Sequence, residues 1–247
     1  MKGINVMKKL YEKNELTFSI IWIVAYVVIF SAADSFSEDL GFQKIITAPV
    51  SIFLSLFLFV WIRKNDLSEK YGLCLFKGNW KNYLYFMPLL LIMSVNLWNG
   101  VTMNMSAAES ALRVVSMICV GFLEEVIFRG LLFKAICKKS VKQAIIISSV
   151  TFGLGHIVNL LNGADFVPTL LQICYAVALG FLFTIIFYKG KSLLPCIVTH
   201  SVVNSLSTFG AEASRTYGMI ITAVLCIISV VYVLWILRVE QGKEEVK

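Results

Sequence analysis

The chain has 247 residues, of which 58% are hydrophobic and only 15% are charged, and its mean hydropathy is +0.81. Soluble domains carry about a quarter charged residues, so this composition excludes an ordinary soluble domain and predicts an integral membrane protein. The formal net charge is +7, but the basic residues lie at the ends of apolar runs and do not form one patch. Nucleic acid is therefore not expected as a partner.

Apolar runs long enough to cross a bilayer recur along the whole chain, and they predict an all-α, polytopic membrane helix bundle. Eight transmembrane helices are predicted, of which the third is short and contains Pro88, a residue type that kinks helices. The spans cover residues 16–33, 45–62, 83–98, 111–137, 143–161, 168–188, 192–209 and 217–238. No internal repeat or linker divides them, so residues 1–247 are predicted to form a single integral-membrane domain.

Lys and Arg concentrate in every second connecting segment, and the segment after span one has only Lys44. They precede span one, follow span eight, and lie between spans two and three, four and five, and six and seven. Because positive residues accumulate in cytoplasmic loops, this alternation predicts that both termini and the 63–82 loop are cytoplasmic. We expect a multi-pass protein of the cell membrane, in contact with the lipid bilayer.

The fourth span contains Glu124, Glu125 and Arg129. A charged side chain near the middle of a transmembrane helix costs about 2.5–3.5 kcal/mol on insertion, so all three must face protein or trapped water. Glu125 and Arg129 are four residues apart on one helix face, which predicts a salt bridge. Glu124 has no ion-pair partner on its own helix and is the better candidate for chemistry, whereas a structural ion pair would also explain Glu125 and Arg129.

Polar side chains also lie inside the fifth and seventh spans. His156 follows Phe152 by four residues, and Asn204 follows His200 by four, so that the latter two share a helix face. A lone intramembrane histidine is often a packing residue, but two histidines, an asparagine and a double glutamate on three spans indicate a functional site. We expect Glu124, both imidazoles and Asn204 to face one polar cavity near mid-membrane, which opens toward the cytoplasm or sideways between helices.

These residues suit the activation of water for amide hydrolysis. A carboxylate freed from full solvation is a stronger base, and a neighbouring histidine can orient the same water. A second histidine and an asparagine can donate hydrogen bonds to the oxyanion of a tetrahedral intermediate. Ser201 lacks the Gly-x-Ser-x-Gly surroundings of a nucleophile elbow. A proton-coupled transporter that uses Glu124, His156 and His200 as a relay is the alternative from another class.

The same position suits a divalent metal ion such as zinc. Glu124, His156 and His200 are the candidate ligands, because zinc binds carboxylate oxygens and imidazole nitrogens. The sequence contains no HExxH motif, and none of its six cysteines forms a CxxC pair. No cofactor is therefore assigned, and both a metal-free and a metal-dependent site agree with the sequence.

Together the three motifs resemble those of the CPBP family, the CAAX-protease and bacteriocin-processing group of intramembrane endopeptidases, also called the Abi family. The motifs are Glu-Glu-x-x-x-Arg at 124–129, Phe-x-x-x-His at 152–156 and His-x-x-x-Asn at 200–204, and the resemblance covers about residues 111–209. It implies that Glu124 and His156 activate the catalytic water and that His200 and Asn204 form the oxyanion site. Supporting roles are implied for Glu125, Arg129 and Phe152.

The resemblance also implies the substrate, which would be a membrane-associated peptide or protein. The short chain is similar to bacterial members of the family, which are tied to peptide processing or bacteriocin immunity, and a prenylated substrate is not assumed. A non-catalytic immunity or regulatory protein that keeps the family scaffold is the second alternative.

Overall fold

The computed structural model describes residues 2–75 and 86–244, with side chains described for 6–75 and 86–238. Within these residues the regular secondary structure is helical, apart from an isolated antiparallel bridge between Val101 and Gly210. The α-helices are α1 (Lys2–Lys13), α2 (Glu15–Asp39), α3 (Thr47–Lys64), α4 (Leu89–Met93), α5 (Ala107–Glu124), α6 (Lys134–Cys137), α7 (Val141–Gly155), α8 (Val158–Leu161), α9 (Phe166–Gly190), α10 (Leu194–Leu206) and α11 (Arg215–Glu244). A 3-10 turn (Val95–Leu97) follows α4, and a π-helical segment (Glu125–Phe133) joins α5 to α6.

Five helical stretches in the described part of the chain are long and apolar enough to cross a membrane. They are α2, α3, α7 with α8, α9, and α11 as far as Arg238. Their outward faces are apolar: Val28 on α2, Phe53 on α3 and Ile227 on α11 are 60%, 65% and 62% exposed. Soluble proteins rarely expose large contiguous apolar surfaces, whereas lipid accepts helices with such faces. The protein is a multi-pass membrane protein.

Three predicted spans take a different form. The third begins among residues 76–85, which lie outside the described residues, and its described part contains only α4, capped by Pro88, and the 3-10 turn. The seventh contains α10, whose 13 residues extend only about 20 Å, against about 30 Å for the hydrocarbon core. The fourth is helical throughout, but three charged residues lie in its central turns. The count of eight and the cytoplasmic termini stay predictions.

The helix that carries Glu124 and Glu125 changes from α to π between these two residues. Ser106 starts it with a capping box, in which its hydroxyl accepts from the backbone N–H of Glu109 and the Glu109 carboxylate accepts from the backbone N–H of Ser106. All nine residues of the π segment are buried. A π turn widens a helix locally and is frequent at functional sites, and here it coincides with the glutamate motif.

Glycines bring the helices of the motifs into close contact. A Cβ atom on Gly121 of α5 would lie 2.4 Å from the Ser201 hydroxyl oxygen and 2.6 Å from the Ser201 backbone nitrogen on α10. Likewise, a Cβ atom on Gly153 of α7 would lie 2.8 Å from the Val177 backbone nitrogen on α9. Small residues allow such backbone approach between membrane helices. The α5–α10 contact sets the distance between the glutamates and His200.

The two ends of the bundle differ in charge. At one end, Glu15 at the start of α2 forms ion pairs with Lys70 at 2.6 Å and with Lys138 at 2.9 Å, which tie α2 to the loop after α3 and to the end of α6. Other basic residues of the described chain lie at the same end: Arg63, Lys64, Lys139, Lys142, Lys189 and Lys191. We call this end of the bundle the basic end. The opposite end holds the C-terminus of α2 and the N-termini of α3, α5 and α11.

The close contact at Gly121 can be tested by a substitution that adds one methyl group at this position. We expect Gly121→Ala to lower the free energy of unfolding by about 1–3 kcal/mol, because the added Cβ atom overlaps the α10 backbone. Gly218→Ala on α11 is the matched control, since its added Cβ atom would meet only Leu171 at an ordinary 3.6 Å. Thermal unfolding of the purified proteins in detergent measures both, and equal melting temperatures would contradict the close approach.

Candidate active site

The Glu125–Arg129 salt bridge expected from the sequence is present and fully buried. The Arg129 Nη1 atom lies 3.1 Å from Glu125 Oε1, and both side chains are 0% exposed. Aromatic rings cover the guanidinium: its Cζ atom lies 4.0 Å from the ring centre of Phe152 and 5.8 Å from that of Phe183. Such cation–π contacts are strongest where water is absent. Phe152 therefore packs directly against the ion pair.

His200 lies between the two glutamates. Its Nδ1 atom is 2.8 Å from Glu125 Oε1, and its Nε2 atom is 3.4 Å from Glu124 Oε2. An ionised carboxylate can only accept hydrogen bonds, so the imidazole donates through Nδ1 to Glu125. That bond fixes the ring so that Nε2 faces Glu124. Glu125 thus contacts both Arg129 and His200, a link between motifs that sequence spacing did not reveal.

Four ionisable groups lie close together in this cluster. The Glu124 and Glu125 carboxylates lie 3.4 Å and 2.8 Å from the two nitrogens of the His200 ring, and the Arg129 guanidinium lies 3.1 Å from Glu125. Glu124 is the carboxylate of the two that does not contact Arg129.

Tyr26 of α2 is a site residue that the sequence analysis missed. Its hydroxyl donates to Glu124 Oε1 at 2.7 Å, and its side chain is buried. The overlooked signal is periodicity: Phe18, Trp22, Tyr26 and Phe30 recur every four residues and form one buried face of α2. A tyrosine in the middle of such a face needs a partner for its hydroxyl, and Glu124 supplies it.

Glu124 and His156 line one cavity of about 160 Å³. His156 lies just after α7, with its ring 5.5 Å from the ring of Phe152, and the ring of His200 lies 5.7 Å from the same phenyl group. The two histidines therefore flank one aromatic side chain and lie on the same side of the bundle. Neither His200 nor Asn204 is among the residues that line this cavity, and His200 contacts it only through Glu124.

Asn204 is not brought into this cluster by a direct contact. It lies one turn beyond His200 on α10 and is partly exposed, and its side chain makes no hydrogen bond to another described residue. A larger cavity of about 780 Å³, lined by Asn96, Tyr175 and Thr222 among others, contains none of the predicted site residues.

The cavity extends away from the basic end. From Glu124 its wall runs along α2 to Asp34, and it also includes Lys44 and Asn162 at the opposite end of the bundle. In the predicted membrane orientation that end is extracytoplasmic. The expected opening toward the cytoplasm or sideways between helices stays a prediction, as the membrane orientation does.

Comparison with known proteins agrees with the motif assignment. Residues 106–206 match the family described as type II CAAX prenyl endopeptidase, Rce1-like. The matched segment begins at the cap of α5 and ends with α10, so it contains every predicted site residue but not Tyr26. No curated protein and no solved structure shows significant similarity to the chain. The match confirms the resemblance over residues 106–206, the segment that carries the three motifs.

Proposed function

We propose that the protein is an intramembrane endopeptidase that hydrolyses a peptide bond of a membrane-associated peptide or protein. The observation that supports this most is the position of Glu124, which lines a cavity together with His156 and also contacts His200. A general base must reach both the proton it removes and the group that orients it. The family match supports a protease, and a structural ion pair alone would not require the second glutamate.

In the proposed reaction, Glu124 and His156 hold a water molecule that attacks the carbonyl carbon of the scissile bond. Glu124 takes a proton from this water as the new C–O bond forms. His200 and Asn204, which lies about 6 Å further along α10, donate hydrogen bonds to the oxyanion. The C–N bond then breaks, the proton on Glu124 moves to the leaving amine, and the products are a carboxyl group and an amine.

Glu125, Arg129 and Phe152 are assigned positioning roles. The hydrogen bond from His200 Nδ1 to Glu125 holds the imidazole so that Nε2 faces the reaction. Arg129 compensates the charge of Glu125, and Phe152 covers the guanidinium while separating the two imidazoles. Such supporting residues fix a reacting group to within a fraction of an ångström.

The residues present do not fit a metal centre well. No group of three His, Cys, Asp or Glu side chains in the described part of the chain is arranged to hold a metal ion. Of the three candidate ligands, Glu124 already accepts from Tyr26, and both nitrogens of His200 face carboxylates. Every step of the proposed reaction therefore uses only water and residues of the chain.

This assignment makes chelation a direct test. We expect cleavage by the purified protein to persist, within about twofold, after dialysis against EDTA or 1,10-phenanthroline, because the proposed reaction uses no metal ion and the Glu124 carboxylate is held by Tyr26 and His200. Loss of activity on chelation, restored by zinc alone, would contradict the metal-free reaction. A zinc protease treated in parallel shows that the chelators act.

The cellular role that we propose is bacterial peptide processing or bacteriocin immunity at the cell membrane. Two alternatives predict different behaviour. A proton-coupled transporter would carry ions into liposomes and cleave nothing, and a non-catalytic immunity protein would protect cells even when Glu124 is replaced.

The two glutamates should respond differently to neutralisation. We expect Glu124→Gln to abolish cleavage without loss of stability, because the base is removed and the shape is kept. Glu125→Gln should reduce cleavage and, unlike Glu124→Gln, should lower the free energy of unfolding by about 3–5 kcal/mol. The reason is that Arg129 keeps its buried charge without a counter-ion.

Cleavage is measured in cells as the accumulation of a membrane peptide in its precursor form, identified by mass spectrometry against wild type. Stability is measured by thermal unfolding in detergent. Variants with the same stability and the same activity would refute the separation of roles.

Tyr26 provides a third test, outside the matched family segment. We expect Tyr26→Phe to slow cleavage by about 10- to 100-fold, since a hydrogen bond to a charged group contributes about 1.5–3 kcal/mol. Tyr175→Phe is the control, because the Tyr175 hydroxyl makes no hydrogen bond to a described residue. Equal cleavage rates in the two variants would show that Tyr26 does not position Glu124.

A further inference from the structure

We propose that Ser148 is a positioning residue of the peptidase site, because its hydrogen bond to the carbonyl group of Phe128 fixes the level of His156 relative to Glu124. Ser148 lies on α7, outside the three motifs, and the reaction proposed above does not use it. This proposal rests on the proposed peptidase function and adds to it the contact that sets the spacing between the two groups holding the catalytic water.

The Ser148 hydrogen bond joins two neighbouring helices. Its hydroxyl donates to the Phe128 carbonyl oxygen in the π segment at 2.8 Å, and the serine is 0% exposed. Other hydroxyls in the described helices donate to a carbonyl three or four residues earlier in their own helix, as do those of Ser19, Ser37, Ser51, Thr169 and Thr184. A carbonyl oxygen has two lone pairs, so Phe128 can accept from Ser148 and also from the backbone of its own segment. Ser148 therefore ties α7 to the segment that directly follows Glu124.

His156 depends on such a tie more than His200 does. The His200 ring is held directly by Glu125 at 2.8 Å, whereas the His156 ring makes no hydrogen bond to another described residue. Its ring lies 5.5 Å from the ring of Phe152, which in turn lies 5.4 Å from the ring of Phe128. Contacts between rings are less directional than a hydrogen bond. The position of α7 therefore sets the position of His156.

The hydrogen bond lies on the basic-end side of both groups that are proposed to hold the water. Glu124 is four residues from Phe128, and His156 is eight residues from Ser148, so they lie about 6 Å and about 12 Å from the level of the bond. Both side chains line the same cavity, and their difference in level leaves room for a water molecule between them. A shift of α7 by one residue would move His156 by about 1.5 Å, and a misplacement of about 1 Å can slow a reaction about 100-fold.

The next residue along α7 supplies a matched control. Ser149 is also 0% exposed, but its hydroxyl lies 3.3 Å from that of Thr184 on α9, a helix that carries none of the predicted site residues. Thr184 keeps its own hydrogen bond to the Gly180 carbonyl when Ser149 is replaced. Ser149→Ala thus removes the same group from the same helix and leaves the bond between Ser148 and Phe128 in place.

The first measurement is the NMR spectrum of the purified protein in detergent, with isotopically labelled histidine. The chain contains two histidines, so two ring signals are expected, which His156→Gln and His200→Gln assign. We expect Ser148→Ala to shift the His156 signal by more than its linewidth and to leave the His200 signal in place, because Glu125 holds the His200 ring. Ser149→Ala should move neither signal.

The second measurement is cleavage of the precursor that accumulates in Glu124→Gln cells, at a temperature where all variants are folded. We expect Ser148→Ala to lower kcat by about tenfold or more and to change KM by less than about twofold, because the water is misplaced while substrate binding is kept. Ser149→Ala should keep both constants within about twofold of wild type. A purely structural serine would change the melting temperature but not kcat of the folded protein.

An unchanged His156 signal or an unchanged kcat in folded Ser148→Ala overturns the proposal. If Ser148→Ala does not fold, Ser148→Cys takes its place in both measurements, because a thiol is of similar size and only a weak donor. Failure of the peptidase function gives a different result, since Glu124→Gln would then accumulate no precursor. In that case the His156 signal alone decides whether Ser148 positions this histidine.

Discussion

The site depends on the buried pair of Glu125 and Arg129. Each charge alone would be very costly inside a membrane protein, and removing one partner leaves the other uncompensated. The pair lies in a π-helical segment in which every residue is buried. Separating the two side chains would leave an unpaired charge in an apolar interior. The ion pair therefore holds a constant position against which other helices can pack.

His200 binds Glu125 of this ion pair, and its ring in turn contacts Glu124. The hydrogen bond from His200 to Glu125 spans from α10 to the π segment, and the close contact at Gly121 holds these two helices together. Glu124 then lies between His200 and Tyr26, so its two oxygens have different partners. A carboxylate held in this way keeps a defined orientation while one face remains on the cavity.

Much of this arrangement could be predicted from spacing within single helices, and much of the rest could not. The i, i+4 relation of Glu125 and Arg129 predicts their contact, because helix geometry fixes it locally. The contacts of His200 with both glutamates and of Tyr26 with Glu124 join residues 75 and 98 positions apart, and no local periodicity encodes such pairings. The third span is predicted over residues 83–98, and its described part contains α4 and a 3-10 turn after Pro88, a residue type that interrupts continuous helices.

The same geometry bears on the choice between a hydrolase and a proton-coupled transporter. A transporter that uses alternating access must at some stage connect its polar site to each side of the membrane. Here the cavity beside Glu124 runs toward the end opposite the basic end, and among the described residues the buried side chains of Val126, Ile127 and Phe133 lie between the glutamates and the basic end. A hydrolase needs water and substrate from one side alone, and a closed opposite side preserves the ion barrier of the membrane while the reaction proceeds. The asymmetry that makes a relay difficult is therefore what a peptidase inside a membrane requires.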